Sequence, residues 1–303
     1  MVLIKTLKKH KNIICFIDYN FLILKGVFME LARENELKLV AKDIRKKVIE
    51  MIGYLGVGHI GGSMSIVEVL TILYYKYLNI DPENPLKEDR DLFVLSKGHS
   101  GPALYATLAS KGFFPEDWLK TLNQGGTRLP SHVDRNKTPG VDMTAGSLGQ
   151  GLSAAVGMAL GSRLSNINNR VYCIIGDGES NEGQIWEAAM AAAQFKLSNL
   201  IVFTDYNKMQ IDGYLHEIMN IEDITSKWLS FGWYVQRING HCFQSLDFAI
   251  ERALNEKCRP SMIILDTIKG KGFSPGEGKV DSHNMTFDIK VAEKAIEDLE
   301  RIQ

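Results

Sequence analysis

Two oxygen-bearing side chains follow two successive apolar runs of this 303-residue sequence. Asp177 stands between two glycines just past the run 171–175, and Asn207 follows the run 200–204. If the two runs are adjacent parallel strands, both side chains lie at the carboxyl-end edge of one sheet, where ligands bind in such folds. Carboxylate and amide oxygens suit Mg²⁺ or another small divalent cation, which usually shares its ligands with a substrate phosphate. The pair therefore predicts a site for a metal-bound diphosphate.

The residues around Asp177 support an anion site. Gly176 and Gly178 allow the backbone to approach a phosphate closely, and the stretch "EGQIWEA" (182–188) begins a helix whose free N–H groups favour a negative charge. An acid between two glycines is by itself more often a simple turn. The second polar residue, at the end of the next strand, distinguishes this pattern from a turn.

The apolar pattern predicts alternating helices and short buried strands. Val40, Ile44 and Val48 recur at four-residue steps in a stripe that continues to Leu55, as in an amphipathic helix. Further helices are predicted at 66–78, 102–110 and 148–163, and strands at 171–175, 200–204, 233–238 and 261–266. This alternation implies an α/β fold with a doubly wound, mainly parallel sheet and helices on both faces. We expect residues 30–303 to form a single domain.

Composition excludes several classes of function. The formal net charge of -1 gives no reason to expect nucleic acid or an acidic surface as a partner, and we expect no membrane partner. Four well-separated cysteines without a CxxC pair are typical of reduced thiols, so we expect a cytoplasmic protein.

Residues 1–29 form a segment of different character. An early basic region and an apolar stretch imitate a secretory signal, but charges interrupt the apolar run and no small-residue cleavage site follows. Codons for "KGVFM" (25–29) can spell a purine-rich ribosome-binding sequence before a start codon at Met29. We expect residues 1–29 to be a non-native leader, with an N-terminal arm used in assembly as the alternative.

Six separate segments resemble transketolases, a family of thiamine diphosphate enzymes. "GDGESNEGQIWEA" and "DYNKMQIDG" look like the family's cofactor signature. The further segments are "GHIGGSMS" (58–65), "LSKGHSGPALYATL" (95–108), "LPSHVDRNKTPGVDMTAGSLGQGLSAAVGMAL" (129–160) and "SHNMTF" (282–287), in the family's order. The resemblance covers nearly all of residues 38–290 and implies the thiamine diphosphate-binding fold.

The resemblance also implies which residues hold thiamine diphosphate and its metal. Asp177, the Asn207 side chain and the main-chain carbonyl of Met209 would bind Mg²⁺ or another divalent cation. The residues implied to contact the cofactor are His99, Gly146, Leu148, Asp177, Gly178, Glu182, Asn207 and His283. Glu182 and Glu187 match family glutamates that communicate across the subunit interface, although acids at a helix start are also favoured by the helix dipole alone.

Four histidines carry over from the family. His99 and His283 would contact the diphosphate, whereas His59, His132 and again His283 would face the sugar hydroxyls and transfer protons. A neutral imidazole suits such proton transfer near neutral pH. His10, His216 and His241 match no family motif, so for these three residues we expect packing or surface roles.

The implied reaction moves a two-carbon ketol unit from a ketose donor, expected to be phosphorylated, to an aldose acceptor through a thiamine diphosphate enamine. In the family, residues that grip the far end of the donor lie mostly outside this domain. The far end could therefore be a phosphate, a sulfonate or neither.

The chain resembles only the first domain of a transketolase. The resemblance does not extend to the domain that holds the pyrimidine ring, so we expect the N-terminal subunit of a split enzyme. We expect the partner to be a C-terminal transketolase subunit carrying the pyrimidine-binding domain, in an α₂β₂ assembly.

Two alternatives differ in function. A subunit of another thiamine diphosphate enzyme, such as a deoxyxylulose-phosphate synthase or a ketoacid dehydrogenase α subunit, would share the metal pair but not "LPSH…TPG" and "SLGQG". A non-catalytic scaffolding subunit would be expected to have lost the metal ligands or the histidines, and this sequence keeps both.

Overall fold

The computed structural model describes residues 29–211 and 213–301. The leader or arm expected at residues 1–29 lies outside the described residues, except for Met29. In chain order the elements are α1 Leu31–Leu55, β1 Val57–Gly58, α2 Ile60–Met64, α3 Val67–Ile72, β2 Leu92–Leu95, α4 Gly101–Ser110, α5 Gln150–Leu164, β3 Val171–Gly176, α6 Gly183–Gln194 and β4 Leu200–Tyr206. They continue as β5 Met209–Gln210, β6 Gly213–Tyr214, α7 Leu215–Ile218, α8 Ile224–Ser230, β7 Tyr234–Asn239, α9 Phe243–Asn255, β8 Ser261–Asp266, β9 Met285–Thr286 and α10 Ile289–Arg301.

Five of these strands form one parallel sheet in the order β2, β3, β4, β8, β7. The register pairs Leu92 with Val171, Val171 with Leu200 and Ile201 with Ser261. The four strands expected from the sequence are all present, which confirms the parallel α/β fold. The sequence pattern did not predict β2, because a four-residue apolar run cannot be assigned by periodicity.

The sheet separates two hydrophobic clusters. Along β3, the side chains of Tyr172 and Ile174 enter one cluster, and those of Val171, Cys173 and Ile175 enter the other. Helices α1, α3, α4 and α9 cover the first face, while α5, α6 and α8 cover the second. This alternation of side chains follows from the two-residue period of a strand, and it confirms that helices lie on both faces.

The helix boundaries follow local chemistry. The predicted amphipathic stripe lies within α1, which ends where Gly56 adopts a left-handed conformation (φ 90°) and donates its N–H to the Ile52 carbonyl oxygen at 2.8 Å. The helix predicted at 66–78 is divided: α3 ends at Ile72, and a π-helical turn follows at Leu73–Tyr77. Such a change of hydrogen-bonding period is invisible in the apolar pattern, which is similar for both helix types.

From composition we expect reduced cysteines and no membrane partner, and the described residues include three of the four cysteines. Cys173, Cys242 and Cys258 are free thiols. Within residues 29–211 and 213–301 no helix is both long enough and apolar enough to cross a bilayer.

The start of α5 packs tightly against the end of β2. A Cβ atom added at Gly151 would lie 2.6 Å from the Cα atom of Ser96, whereas at Gly157, on the exposed side of the same helix, no atom lies within 4 Å. We expect Gly151→Ala to lower the free energy of unfolding by roughly 1–3 kcal/mol, because backbone must move. Gly157→Ala should raise it by up to about 1 kcal/mol through helix propensity. Urea unfolding of both variants measures these opposite signs, and equal effects would contradict the close packing.

Candidate active site

Asp177 lies at the carboxyl end of β3 and is almost completely buried. Its Oδ1 atom accepts a hydrogen bond from the N–H of Gly178 at 2.8 Å, and its Oδ2 atom accepts one from the N–H of Lys208 at 2.5 Å. The main-chain N–H of Asp177 donates to the carbonyl oxygen of Asp205 on β4 at 3.2 Å. The ends of the two strands are thus joined, as parallel neighbours must be for their polar residues to meet.

Asn207 lies one residue past β4 and is held by two hydrogen bonds. Its Oδ1 atom accepts from the N–H of Met209 at 3.1 Å, and its Nδ2 atom donates to Asp205 Oδ2 at 3.1 Å. Lys208, between Asn207 and Met209, has a positive φ of 67°. This tight turn brings Asn207 and the following main chain beside Asp177.

One cavity of about 370 Å³ opens at this edge of the sheet. Most of the residues predicted from the sequence line it: His99, Leu148, Asp177, Gly178, Glu182, Asn207, Met209 and His283. Gly146 lies beside the histidines, and a Cβ atom added to it would be 3.9 Å from the His132 Cβ atom. Glu187 is exposed on α6 and does not line the cavity. The structure therefore brings residues from distant sequence segments to one place.

The four family-matched histidines form one cluster. The His59 ring centroid lies 5.4 Å from that of His99, 5.6 Å from that of His132 and 5.4 Å from that of His283. The centroids of His99 and His283 are 5.2 Å apart. His132 is the most exposed of the four, and the other three are half-buried. The arrangement offers several imidazoles to one small polar substrate.

Burial keeps these histidines neutral. It lowers the pKa of His59 to about 4, with a smaller contribution from the charge of His132. Burial and the Lys97 charge lower the pKa of His99 well below its usual value, and burial with the Lys269 charge lowers the pKa of His283 to about 4. Burial also lowers the pKa of His132. At neutral pH the rings can therefore accept protons.

The carboxylate of Asp177 is electrostatically disfavoured. Burial, and secondly the negative charge of Asp205, raise its pKa to about 7, although hydrogen bonds from Lys208 and Gly178 oppose this shift. A cation beside Asp177 would stabilise its ionised form. The cavity thus contains a carboxylate whose hydrogen bonds come from main-chain N–H groups and not from a positive side chain.

The buried ion pair between Lys97 and Asp205 beside the cavity was not predicted from the sequence. The Lys97 ammonium lies 2.5 Å from Asp205 Oδ2 and donates to the Gly62 carbonyl oxygen at 3.0 Å. Ser65 and Thr267 also donate to the Asp205 carboxylate. Burial raises the pKa of Asp205, but Lys97 outweighs burial and holds the pKa below its usual value. The position of Lys97 in "LSKGHS" and of Asp205 in "TDYN" was the available signal.

Glu179 is a further residue that the sequence analysis did not predict. Its Oε1 atom accepts hydrogen bonds from Ser96 Oγ at 2.5 Å and from the N–H of Gly149 at 2.8 Å, and Oε2 accepts from the N–H of Gly176 at 3.0 Å. One buried carboxylate thereby joins the end of β2, the start of α5 and the end of β3. Its place directly after "GDG" was the only signal in the sequence.

The donor set fits a diphosphate-bound divalent cation. Within the described residues no group of three or more His, Cys, Asp or Glu side chains could hold a metal ion. Asp177, Asn207 and the Met209 carbonyl instead offer oxygen atoms, and such an incomplete set suits a cation that shares ligands with phosphate. A Cβ atom at Gly178 would lie 2.7 Å from Gln210 Cβ, so a larger residue here would displace Gln210, which also lines the cavity.

The fold and this cavity define a thiamine diphosphate-binding domain. Residues 36–296 match the family model "Transketolase, thiamine diphosphate binding domain". The chain therefore belongs to the transketolase family, which confirms the family assignment made from the sequence.

Relatives of two lengths match the chain. It is 56% identical to the 6-deoxy-6-sulfo-D-fructose transketolase subunit of Clostridium sp. (strain MSTE9), with 89% of this chain and 98% of the relative covered. It is 38% identical to an apulose-4-phosphate transketolase subunit of Actinobacillus succinogenes, and the match covers 88% of this chain and 96% of that relative. The crystal structure of transketolase from Campylobacter jejuni has a TM-score of 0.83 and 30% identity, and the match covers 90% of this chain but 43% of that one.

These comparisons define the protein as a transketolase subunit. The chain spans less than half of the single-chain transketolase and nearly all of the relatives named as subunits. It is therefore part of a transferase that moves a ketol unit, and the naming of its relatives implies a partner subunit.

Replacing Asp177 by Asn tests the electrostatics of the cavity. The pKa of Asp177 is raised from 3.8 to about 7 in the folded chain, so the ionised group destabilises the fold. This penalty is absent below pH ~4, increases up to pH ~7 and is complete above it. This rise in the pKa of Asp177 corresponds to a destabilisation of about 4 kcal/mol, and loss of the hydrogen-bond acceptor in the variant offsets about 1–3 kcal/mol. We expect the cofactor-free variant to be more stable than wild type at pH 8 but not at pH 4.

Urea unfolding at both pH values gives this difference. Asp247→Asn is the matched control: Asp247 is a buried carboxylate that pairs with Lys76, so its replacement should destabilise the chain at pH 8. Affinity of Asp177→Asn for Mg²⁺ and thiamine diphosphate should fall sharply in fluorescence titrations. A destabilised Asp177→Asn with unchanged affinity would contradict both the raised pKa and the metal-site assignment.

Proposed function

We propose that the cavity holds thiamine diphosphate through a divalent cation, most simply Mg²⁺. Asp177, the Asn207 amide oxygen and the Met209 carbonyl would bind the cation. His99, His283 and Gly178 would contact the diphosphate, and Gly146 and Leu148 would pack against the cofactor rings. The observation that carries this proposal is a cavity lined by residues from separate motifs, among them the buried carboxylate of Asp177.

The histidines would move protons on the sugar. Thiamine diphosphate supplies, when bound, the electron sink for cleavage of the donor's carbon–carbon bond. His132, at the exposed side of the cluster, would accept and return the proton of a donor hydroxyl, with His59 assisting. His283 would contact both the diphosphate and the sugar. The lowered pKa values leave the imidazoles unprotonated at neutral pH, as a proton acceptor must be.

The partner would be a C-terminal transketolase subunit that carries the pyrimidine-binding domain, in an α₂β₂ assembly in the cytoplasm. Apolar side chains beside the cavity support a covering partner: Ile211, Ile218 and Met219 line it and are all more than half exposed. Exposed apolar groups at a site mouth are typical of interaction surfaces. Glu182, which directly precedes α6 and also lines the cavity, would communicate with the partner.

We infer further that the donor is a ketose with a sulfonate at its far end, in place of the phosphate expected from the family resemblance. Identity to the subunit named for 6-deoxy-6-sulfo-D-fructose is 56%, compared with 38% to the subunits named for apulose-4-phosphate. A sulfonate bonded directly to C6 is one atom shorter than a phosphate ester and carries about one charge less at pH 7. A site can therefore discriminate between the two by both length and charge.

His132→Ala tests the acid–base role. We expect turnover on ketose donors to fall on the order of 10² to 10⁴ fold, while affinity for the cofactor stays unchanged, because the ring would act on sugar hydroxyls. Lys257→Ala, at an exposed position outside the cavity, is the control and should behave as wild type. A nearly wild-type rate for His132→Ala would show that the ring transfers no proton in the rate-limiting step.

Reconstitution with the partner subunit tests the donor. With 6-deoxy-6-sulfo-D-fructose and an aldose acceptor, we expect the assembled pair to release a four-carbon sulfonated aldose, detectable by mass spectrometry. Fructose 6-phosphate should react at least about tenfold less efficiently, which corresponds to about 1.4 kcal/mol of discrimination. The chain alone should transfer no ketol unit.

Three results would change this picture. Equal efficiency on both donors would exclude sulfonate selectivity. Robust transfer by the single chain would exclude the need for a partner. A mass in native mass spectrometry other than two copies of each subunit would exclude the α₂β₂ assembly.

A further inference from the structure

The segment 267–283 carries two residues that line the cofactor cavity, Lys269 and His283. It follows β8 and contains little regular structure before the short 3₁₀ turn Val280–Ser282. Three glycines in it, Gly270, Gly272 and Gly278, have positive φ. Such a segment needs contacts from outside itself to hold Lys269 and His283 in place.

His241 supplies one such contact. The main-chain N–H of Ile268 lies 2.8 Å from His241 Nε2, and His241 Nδ1 lies 3.0 Å from Glu68 Oε2. A main-chain N–H can only donate, so Nε2 is the unprotonated nitrogen. Nδ1–H must therefore donate to the Glu68 carboxylate. The sequence pattern left His241 as a packing or surface residue, but its two nitrogens join α3 to the segment.

Arg45 supplies the second contact. Its Nη2 atom lies 2.8 Å from both carboxylate oxygens of Glu68, and its Nε–H donates to the Lys271 carbonyl oxygen at 2.9 Å. Burial raises the pKa of Glu68, but Arg45 and His241 outweigh burial and bring it to about 2. Glu68 thus binds both Arg45 and His241, and each of these two side chains makes a hydrogen bond to the main chain of segment 267–283.

Further hydrogen bonds connect segment 267–283 to the residues around the cavity. The N–H of Gly270 donates to the Gly61 carbonyl oxygen at 2.9 Å, and the N–H of Gly278 donates to the Lys269 carbonyl oxygen at 2.8 Å. A Cβ atom at Gly61 would lie 2.6 Å from the Ser282 carbonyl oxygen, so the backbone near His59 packs directly on the backbone next to His283. A shift of Ile268 or Lys271 would therefore move groups that face the cavity.

We propose that Arg45, Glu68 and His241 form a positioning network that holds segment 267–283, and with it Lys269 and His283, in place for cofactor binding. None of the three network residues lines the cavity. The inference rests on the proposed contact of His283 with the diphosphate.

Two substitutions of His241 separate its two hydrogen bonds. His241→Asn keeps a donor toward Glu68 but leaves the Ile268 N–H without its acceptor, whereas His241→Gln can present a carbonyl oxygen to the Ile268 N–H. Affinity for thiamine diphosphate with Mg²⁺, measured by fluorescence quenching in the assembled pair, should weaken about three- to tenfold for His241→Asn, the effect of one lost hydrogen bond. His241→Gln should stay within about twofold of wild type. Turnover at saturating cofactor should change less than affinity in both variants.

Hydrogen exchange supplies a readout that is independent of activity. We expect faster amide exchange in segment 267–283 for His241→Asn than for His241→Gln. Ile250→Val, a buried change on α9, is the control for general destabilisation, which should cost about 0.5–1.5 kcal/mol without weakening cofactor affinity. If Ile250→Val weakens affinity as much as His241→Asn at matched stability, the role of the network is merely structural and the inference is overturned.

His283→Ala distinguishes failure of the inference from failure of the proposed function. If His283→Ala weakens cofactor affinity but His241→Asn does not, the positioning network is excluded and the cofactor site stands. If His283→Ala leaves affinity unchanged, the proposed diphosphate contact is wrong, and the inference falls with it.

Discussion

The buried ion pair between Lys97 and Asp205 is the interaction on which the candidate active site depends. Its charges lie 2.5 Å apart at the carboxyl end of β4, with almost no access to solvent. Asp205 accepts a hydrogen bond from Asn207 through its side chain and one from the Asp177 N–H through its main chain. Removing two charges from water is costly unless hydrogen bonds satisfy them, and Ser65 supplies one more donor here. The pair thereby orients both proposed metal ligands.

Three buried carboxylates at the same sheet edge explain why the site is electrostatically strained. Burial raises the pKa of Asp177 and of Glu179, while Lys97 keeps Asp205 ionised. Glu179 is satisfied by three hydrogen-bond donors from three elements, whereas Asp177 accepts from two main-chain donors. A buried carboxylate with a raised pKa is stabilised more by a neighbouring cation than a solvated carboxylate is. Perturbed groups of this kind concentrate at functional sites, at some expense of stability.

The histidine cluster depends on packing over long chain separations. His59 follows α1, His99 and His132 come from either side of α4, and His283 lies beyond β8. Their ring centroids nevertheless lie within 5.2 to 5.6 Å of a neighbour. Burial of the rings against one another and against Lys97 and Lys269 keeps them neutral, since a charged imidazole would lose hydration and face a positive neighbour. The packing that brings the four rings together therefore also keeps them unprotonated.

By itself, the sequence determined the parallel α/β fold, the family, and the meeting of Asp177 with Asn207, because strand period and strand-end position are local properties of the chain. It did not reveal β2, whose four residues carry too little periodicity, or the division of the helix at Leu73. It also left Lys97, Glu179 and His241 without roles. Their functions come from partners such as Asp205, Gly149 and Ile268, which are distant in the chain. Only tertiary packing decides which buried charge meets which donor, because burial and pairing are properties of the folded molecule.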